Sequence, residues 1–259
     1  MQKEDTKTII FAAIVCLVVS LLLSSTYAAL KDLQAVNEEN DRRKNVLKAF
    51  DVEAELADKE IDLKKISAED IQGIFDQYIE EIFLDDNFEV IEGLNRENLA
   101  EFENGKYTPD LIEDKESAPH SLYLWVEDKT AEEREVKYYC YPQYGKGLWS
   151  TIYSYMALES NCHEIRGATF YGSKETPGLG LVCETDPYME QFAGKRIKQD
   201  EEGEIMFDVV KGRVSDRFPN GNDYAVDGMS GATITGDGLE RFIHEAFGKY
   251  NNYFQKVNQ

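Results

Sequence analysis

A run of 23 residues without a formal charge, Thr8 to Leu30, limits what this chain can become more than any other feature. It is rich in Ile, Val, Leu and Ala. At about 1.5 Å per helical residue it crosses a hydrocarbon core of about 30 Å. One membrane helix over 8–30 is therefore expected, with 1–7 a short cytoplasmic tail. The rival is a cleaved signal peptide, since Lys3 and Lys7 form a short basic head and Thr26-Tyr27-Ala28 is a weak cleavage site. The apolar part of such a peptide usually runs to only about 7–15 residues, which favours a retained anchor. Orientation does not follow from charge. Lys3 and Lys7 lie ahead of the span, but Lys31, Arg42, Arg43, Lys44 and Lys48 lie behind it, so the positive-inside rule does not favour export of the following domain.

Beyond the anchor there is room for one good-sized domain plus an appendage in 259 residues. The formal net charge of −22 excludes nucleic acid and adhesion to an acidic lipid surface. Lys31 to about Lys65 is charged and helix-compatible, with a broken apolar stripe (Leu30, Leu33, Val36, then Val46, Leu47 and Phe50), as in a stalk. Ser67 to Phe83 has a stronger helical signature: Ser67 and Asp70 form a capping pair, and Ile71, Phe75, Tyr78, Ile79 and Ile82 share a face. The stretch to about Pro119 is acidic and irregular. Residues 31–119 are accordingly expected to form a helical stalk and acidic helical or loop region, ahead of a domain at 120–259.

From His120 the period changes to two. Leu122, Leu124 and Val126 alternate with their neighbours, as do Val136, Tyr138 and Cys140, and later Ile205, Phe207 and Val209. Trp149 to Leu158 suits a helix or a strand, its β-branched and aromatic content leaving both open. Leu239, Phe242, Ile243, Phe247, Tyr250 and Phe254 follow the i, i+3, i+4 recurrence of an amphipathic helix. The fold class expected is α+β, a single N-terminal transmembrane helix followed by a soluble domain with a mainly antiparallel sheet and flanking helices. Cys16 lies in the apolar run. Cys140, Cys162 and Cys183 contain no CxxC pair, so no metal centre is expected, and they permit at most one disulfide. His120, His163 and His244 are scattered singly, and no catalytic residue is assigned.

The chemistry concentrates in Asp227-Gly228-Met229-Ser230-Gly231-Ala232-Thr233-Ile234-Thr235-Gly236-Asp237-Gly238-Leu239. Four glycines and three hydroxyl side chains precede the last helix, whose N-cap is expected at Asp237 with Glu240 as its reciprocal partner. A glycine-rich loop feeding a helix N-terminus presents bare N–H groups and a positive dipole end to a phosphate. It has neither the Walker lysine nor GxGxxG spacing, so it is not a standard nucleotide fingerprint. Two other stretches are turn-like. Pro142 to Ser150 sets Gly145 and Gly147 beside Trp149, and Glu175-Thr176-Pro177-Gly178-Leu179-Gly180 has a Pro-Gly turn with glycine where positive φ is needed.

All three stretches resemble signatures of the FMN-binding domains of membrane redox complexes, and in the same order. These are a Gly-x-Gly-Leu-Trp run at Gly145 to Trp149, a Glu-Thr-Pro-Gly-Leu-Gly run at Glu175 to Gly180, and the flavinylation motif Asp-x-x-Ser/Thr-Gly-Ala-Thr at Asp227 to Thr233. The resemblance implies FMN in phosphoester linkage to Thr233, with Asp227, Ser230, Gly231 and Ala232 shaping the loop and Thr235 the competing hydroxyl. It also implies flavin contacts from Trp149, Glu175, Thr176, Leu179 and Gly180; Lys211 or Arg213 are candidate partners for the phosphate or ring. Two groups share the anchor, the Glu-Thr-Pro-Gly-Leu-Gly run and the flavinylation motif, from sodium-translocating NADH:quinone reductases and from Rnf electron-transport complexes. Chain length, Asn45-Val46-Leu47-Lys48-Ala49 and Gly147-Leu148-Trp149-Ser150 favour the first.

The role so implied is single-electron relay inside a multi-subunit sodium pump. The expected partners are other membrane subunits and a flavin transferase for maturation, and the expected location is a bacterial inner membrane with the domain on the periplasmic side. Ser173-Lys174 departs from the His or Gly common before the Glu-Thr-Pro-Gly-Leu-Gly run. The alternative is a membrane-anchored acidic binding module in which the glycine loop is only structural.

Overall fold

The structure, a computed structural model, describes residues 3–96, 98–99, 119–130 and 134–258. Helix α1 (Lys3–Ala49) contains the charge-free run and is the one described helix long and apolar enough to cross a membrane; none of its apolar window is buried. The chain divides into two compact units, through Arg42 and from Arg43 onward. Val46, Leu47, Ala49 and Phe50 are fully buried within the second unit. Asp51, at φ 54°, then stops the helix in a left-handed conformation that aspartate tolerates better than most residues. Helix α2 (Val52–Glu55) and helix α3 (Ala68–Tyr78) follow, and the Ser67 hydroxyl accepts the Asp70 N–H at 3.1 Å as the capping pair predicts.

The centre is a five-stranded antiparallel meander of β1 (Ile79–Leu84), β2 (His120–Val126), β3 (Val136–Lys146), β4 (Thr151–Glu159) and β5 (Ile165–Tyr171), in that spatial order. The register pairs Ile79 with Trp125, Tyr123 with Cys140, Tyr144 with Tyr153, and Ser154 with Phe170. Next come α4 (Asp186–Met189), an antiparallel pair β6 (Lys198–Gln199) and β7 (Ile205–Met206), and α5 (Val214–Arg217). Strand β8 (Asp208–Val209) runs parallel to β9 (Ala225–Val226), and α6 (Thr233–Val257) closes the chain. The α+β class with a mainly antiparallel sheet is as the period-two runs require.

Two sequence expectations change. The helix expected over Ser67–Phe83 ends at Tyr78, and β1 takes over. In the strand Ile79 packs with the 43–78 layer while Ile82 faces α6, so residues that share a helical face by spacing lie on opposite faces of the sheet. Hydrogen bonding to β2 outweighs local helix preference here. The ammonium of Lys129 closes the helix end by donating to the carbonyls of Asp76 and Ile79, each at 2.6 Å. The Trp149–Leu158 stretch, open between helix and strand, becomes β4, with Trp149 in the preceding turn. Most of the acidic 84–119 stretch lies outside the described residues.

Every residue of β2 is buried, because both faces of the sheet are covered. Leu122, Leu124 and Val126 meet Phe254 and its neighbours from α6, whereas Tyr123 and Trp125 meet Phe50, Phe75 and Ile71. The Trp125 ring stacks on Tyr78 at 5.1 Å and meets Phe50 edge-on at 5.5 Å. Trp125→Ala is expected to cost about 3–5 kcal/mol, read from the urea midpoint. A loss below about 1 kcal/mol would show that the 43–78 layer is not part of the cooperative core.

His120, at the head of β2, stacks on Phe88 with ring centroids 4.7 Å apart. Burial, then Lys249, hold its imidazole below the ordinary value of 6.5, against the opposing pull of Asp86 and Asp85. The folded chain therefore takes up this proton less readily than the unfolded chain. The stability contributed is complete above the ordinary imidazole range and is lost as pH falls through it. His120→Phe keeps an aromatic on Phe88 and is expected to flatten the fall in melting temperature between about pH 8 and about pH 5. An unchanged slope in thermal scans would sink the assignment.

Candidate functional site

The β3–β4 turn, the turn that ends at Gly180 and the start of α6 converge on the carboxylate of Glu175, which is buried at 4% exposure. Oε1 accepts the backbone N–H of Trp149 at 2.8 Å and of Ser150 at 3.1 Å, from the β3–β4 turn. Oε2 accepts the hydroxyl of Thr235, in the first turn of α6, at 2.9 Å. A Cβ on Gly147 would stand 2.7 Å from Oε1, and one on Gly180 2.6 Å from Oε2. Glycine is thus required on both sides of the carboxylate. Glu175 and Thr235 are both among the candidate flavin contacts, and the structure bonds their polar atoms to each other and, for Glu175, to the backbone. They hold the site together from beneath.

Helix α6 starts at Thr233, four residues before the expected N-cap, so Asp237 is not the cap. Glu240 does not reach back to the helix start but accepts the Val209 N–H at 2.8 Å, tying α6 to β8. The earlier start is possible because the helix lies against the β3–β4 turn: a Cβ on Gly238 would stand 2.5 Å from the Lys146 carbonyl. That long-range contact gives Gly238, a poor helix former, its reason to be helical.

The loop before α6 is held at both ends. Asp227 accepts the Val214 N–H at 2.7 Å and donates its own N–H to Gln191 at 3.0 Å. Gly228 donates to the Gly212 carbonyl at 2.9 Å, and a Cβ there would collide with the Val210 carbonyl. Gly231 turns at φ 72°, and Leu179 lies 3.0 Å from where its Cβ would be. Ala232 is buried, Ser230 and Thr233 are exposed, and Thr235 is 1% exposed. Thr233 therefore presents a free surface at the helix end, where the first N–H groups have no intrahelical acceptor.

Lys211, Arg213 and Asp216 face Gly228, Ser230 and Thr233 across a cavity of about 500 Å³. Lys211 Nζ lies 3.8 Å from Asp237, while among the described residues Arg213 has no carboxylate within 4 Å. Leu179 and Trp149 are exposed at 41% and 69%, and Thr176 is exposed at the same turn. Sequence reasoning missed Gln191 and Val214, which position the loop through bonds spanning 36 and 13 residues; no local motif announces them. Cys140, Cys162 and Cys183 are buried free thiols. Burial pushes Cys162 up to about 11 and Cys183 up to about 12, which excludes thiolate chemistry near neutral pH.

Residues 147–248, which run from the β3–β4 turn through the glycine loop and most of α6, match the FMN-binding domain family. Across most of its length the chain resembles the C subunit of Na(+)-translocating NADH-quinone reductases. It is 28% identical to that protein from Vibrio alginolyticus, covering 92% of this chain and 87% of the relative. With its counterpart from Neisseria meningitidis serogroup B the identity is 28%, over 97% and 93% of the two chains. The crystal structure of NqrC from Shewanella oneidensis superposes with a TM-score of 0.63 at 25% identity, covering 86% of this chain and 99% of that one. The crystal structure of the C subunit from Parabacteroides distasonis, at 24% identity and a TM-score of 0.60, has the same fold.

Proposed function

We propose that this chain is the membrane-anchored flavoprotein subunit of a sodium-translocating NADH:quinone reductase, with FMN joined through its phosphate to Thr233. The observation that carries this reading is the division of labour between two neighbouring threonines. Thr233 stands exposed at the start of α6, while Thr235 is buried and donates to Glu175. The residues fit the group. Gly228 and Gly231 line the cavity beside Thr233, and Arg213 and Lys211 offer positive charge across it. Exposed Leu179 and Trp149 offer apolar surface for a ring, with Thr176 at its polar edge. In a chain of net charge −22 a free flavin phosphate gains no long-range attraction, so a covalent bond suits this electrostatic setting.

FMN supplies one- and two-electron redox chemistry. The chain's own residues hold it in place, tune it by packing and keep water from one face. The protein relays electrons between other centres of the complex, while NADH, quinone and sodium are handled elsewhere. The family resemblance implies a separate flavin transferase, which suits a threonine hydroxyl that is a weak nucleophile at neutral pH. Residues 8–30 anchor the chain in the inner membrane, and the domain beyond them lies on the periplasmic side.

Purified complex separated on a denaturing gel tests the cofactor. A fluorescent band at this chain supports covalent FMN, and a dark band from cells that make the transferase would leave the anchored binding module as the better reading. Reporters fused after Gln259 test the side. Activity confined to a cytoplasmic reporter would overturn the periplasmic assignment.

A further inference from the structure

We infer that Glu175 tunes the flavin: its buried negative charge disfavours the negative charge that reduction brings to the ring, and so holds the one-electron potential low. The inference deepens the proposed function and rests on it. Glu175 is 4% exposed, and among the described residues no Lys, Arg or His nitrogen lies within 4 Å of its carboxylate. Burying a charge without a counter-ion is costly. The three hydrogen bonds do not call for it. A glutamine side chain in the same place would accept the Trp149 and Ser150 N–H groups through its oxygen and donate to the Thr235 hydroxyl. The same partners would be satisfied with no charge buried. What the carboxylate adds is the charge itself.

That charge sits where the elements of the site meet. Trp149, whose side chain is 69% exposed, gives its own N–H to Oε1 at 2.8 Å. Oε2 is 2.6 Å from where a Cβ on Gly180 would stand, next in the chain to Leu179. Thr235, two residues after Thr233, reaches the same oxygen at 2.9 Å. A ring resting on Leu179 and Trp149 therefore lies over residues that touch or adjoin this carboxylate. Water is kept from the carboxylate, so its field is screened less than that of a surface charge. Lys211 and Arg213 face Thr233, where the phosphate's own negative charge answers them.

The electron comes from another redox centre of the complex and adds one negative charge to the ring, with no bond made or broken. Repulsion from Glu175 raises the energy of the reduced ring relative to the oxidised one. The electron is then passed on rather than retained, as a relay between other centres requires.

The test uses the full chain, loaded by the transferase and purified in detergent, with flavin absorbance followed against electrode potential. Glu175→Gln keeps the shape and removes the charge. In the first electron step the ratio of reduced to oxidised flavin at a given potential should rise roughly tenfold, an upward shift of about 59 mV. Thr235→Ala keeps the charge but removes a donor that disperses it, so the ratio should fall. Both variants lose a bond at the same carboxylate, and a purely bracing role predicts shifts of one sign. A change below about twofold in Glu175→Gln, or a rise in both variants, would overturn the proposal. If Glu175→Gln does not fold, the sign in Thr235→Ala decides: a fall supports the tuning role, and a rise or no change overturns it. Trp149 emission on the same samples reports loosening of the turn separately. A wild-type chain with no flavin mass would remove the cofactor reading and the tuning role with it, whereas a loaded chain with an unmoved potential removes the tuning role alone.

Discussion

Thr233→Ala is expected to yield a folded chain that carries no covalent FMN, whereas Thr235→Ala keeps the flavin and loses stability. The two hydroxyls are two residues apart, but their surroundings differ. Thr233 is exposed at the first position of α6, beside the cavity bordered by Lys211 and Arg213. Its loss removes the proposed acceptor of the phosphoester bond from an exposed position. Thr235 is 1% exposed, and its hydroxyl satisfies Glu175 at 2.9 Å. Replacing it by alanine leaves a buried carboxylate oxygen without that donor, at a cost of about 1–3 kcal/mol. Both variants, co-expressed with the transferase, are read by mass spectrometry of the peptide carrying the two threonines and by urea midpoint. FMN lost from Thr235→Ala but kept in Thr233→Ala would reverse the assignment. A flavin mass on neither wild-type threonine would reduce the loop to a turn.

The second large effect is expected at Glu175. Glu175→Ala removes the acceptor shared by two backbone N–H groups and one hydroxyl, drawn from the β3–β4 turn and from α6. It also opens space beside Gly147 and Gly180, whose missing Cβ atoms leave room for the carboxylate. A loss of about 2–4 kcal/mol is expected, with a change in Trp149 emission as its turn loosens. Glu175→Gln keeps the size and one acceptor oxygen, so it should cost less than half as much. Equal losses from the two substitutions would mean that hydrogen bonding to the carboxylate matters here and volume does not. A loss below about 1 kcal/mol for Glu175→Ala would remove Glu175 from its place beneath the site.

Much of the architecture was legible in the chain because it depends on local periodicity. The 23-residue uncharged run, the period-two stretches at 122–126 and 136–140, and the amphipathic face from Leu239 to Phe254 each encode an element. The glycine loop with its hydroxyl residues was also visible, since tight turns restrict composition. What sequence alone did not show was that Thr233 is exposed and Thr235 buried, or which polar atoms are already hydrogen-bonded. Glu175 stands in a conspicuous motif, and only the fold brings Trp149, Ser150 and Thr235 to its two oxygens. Asp237 and Glu240 satisfy the spacing of a helix cap, but α6 starts at Thr233, and Glu240 bonds to the Val209 N–H instead. Ile79 to Phe83 follows helical spacing too, yet pairing with β2 satisfies its backbone as a strand. Spacing along the chain determines which faces are apolar. Which partner each face meets, and which polar atom is already taken, depends on contacts between residues distant in sequence, and these exist only once the chain has folded.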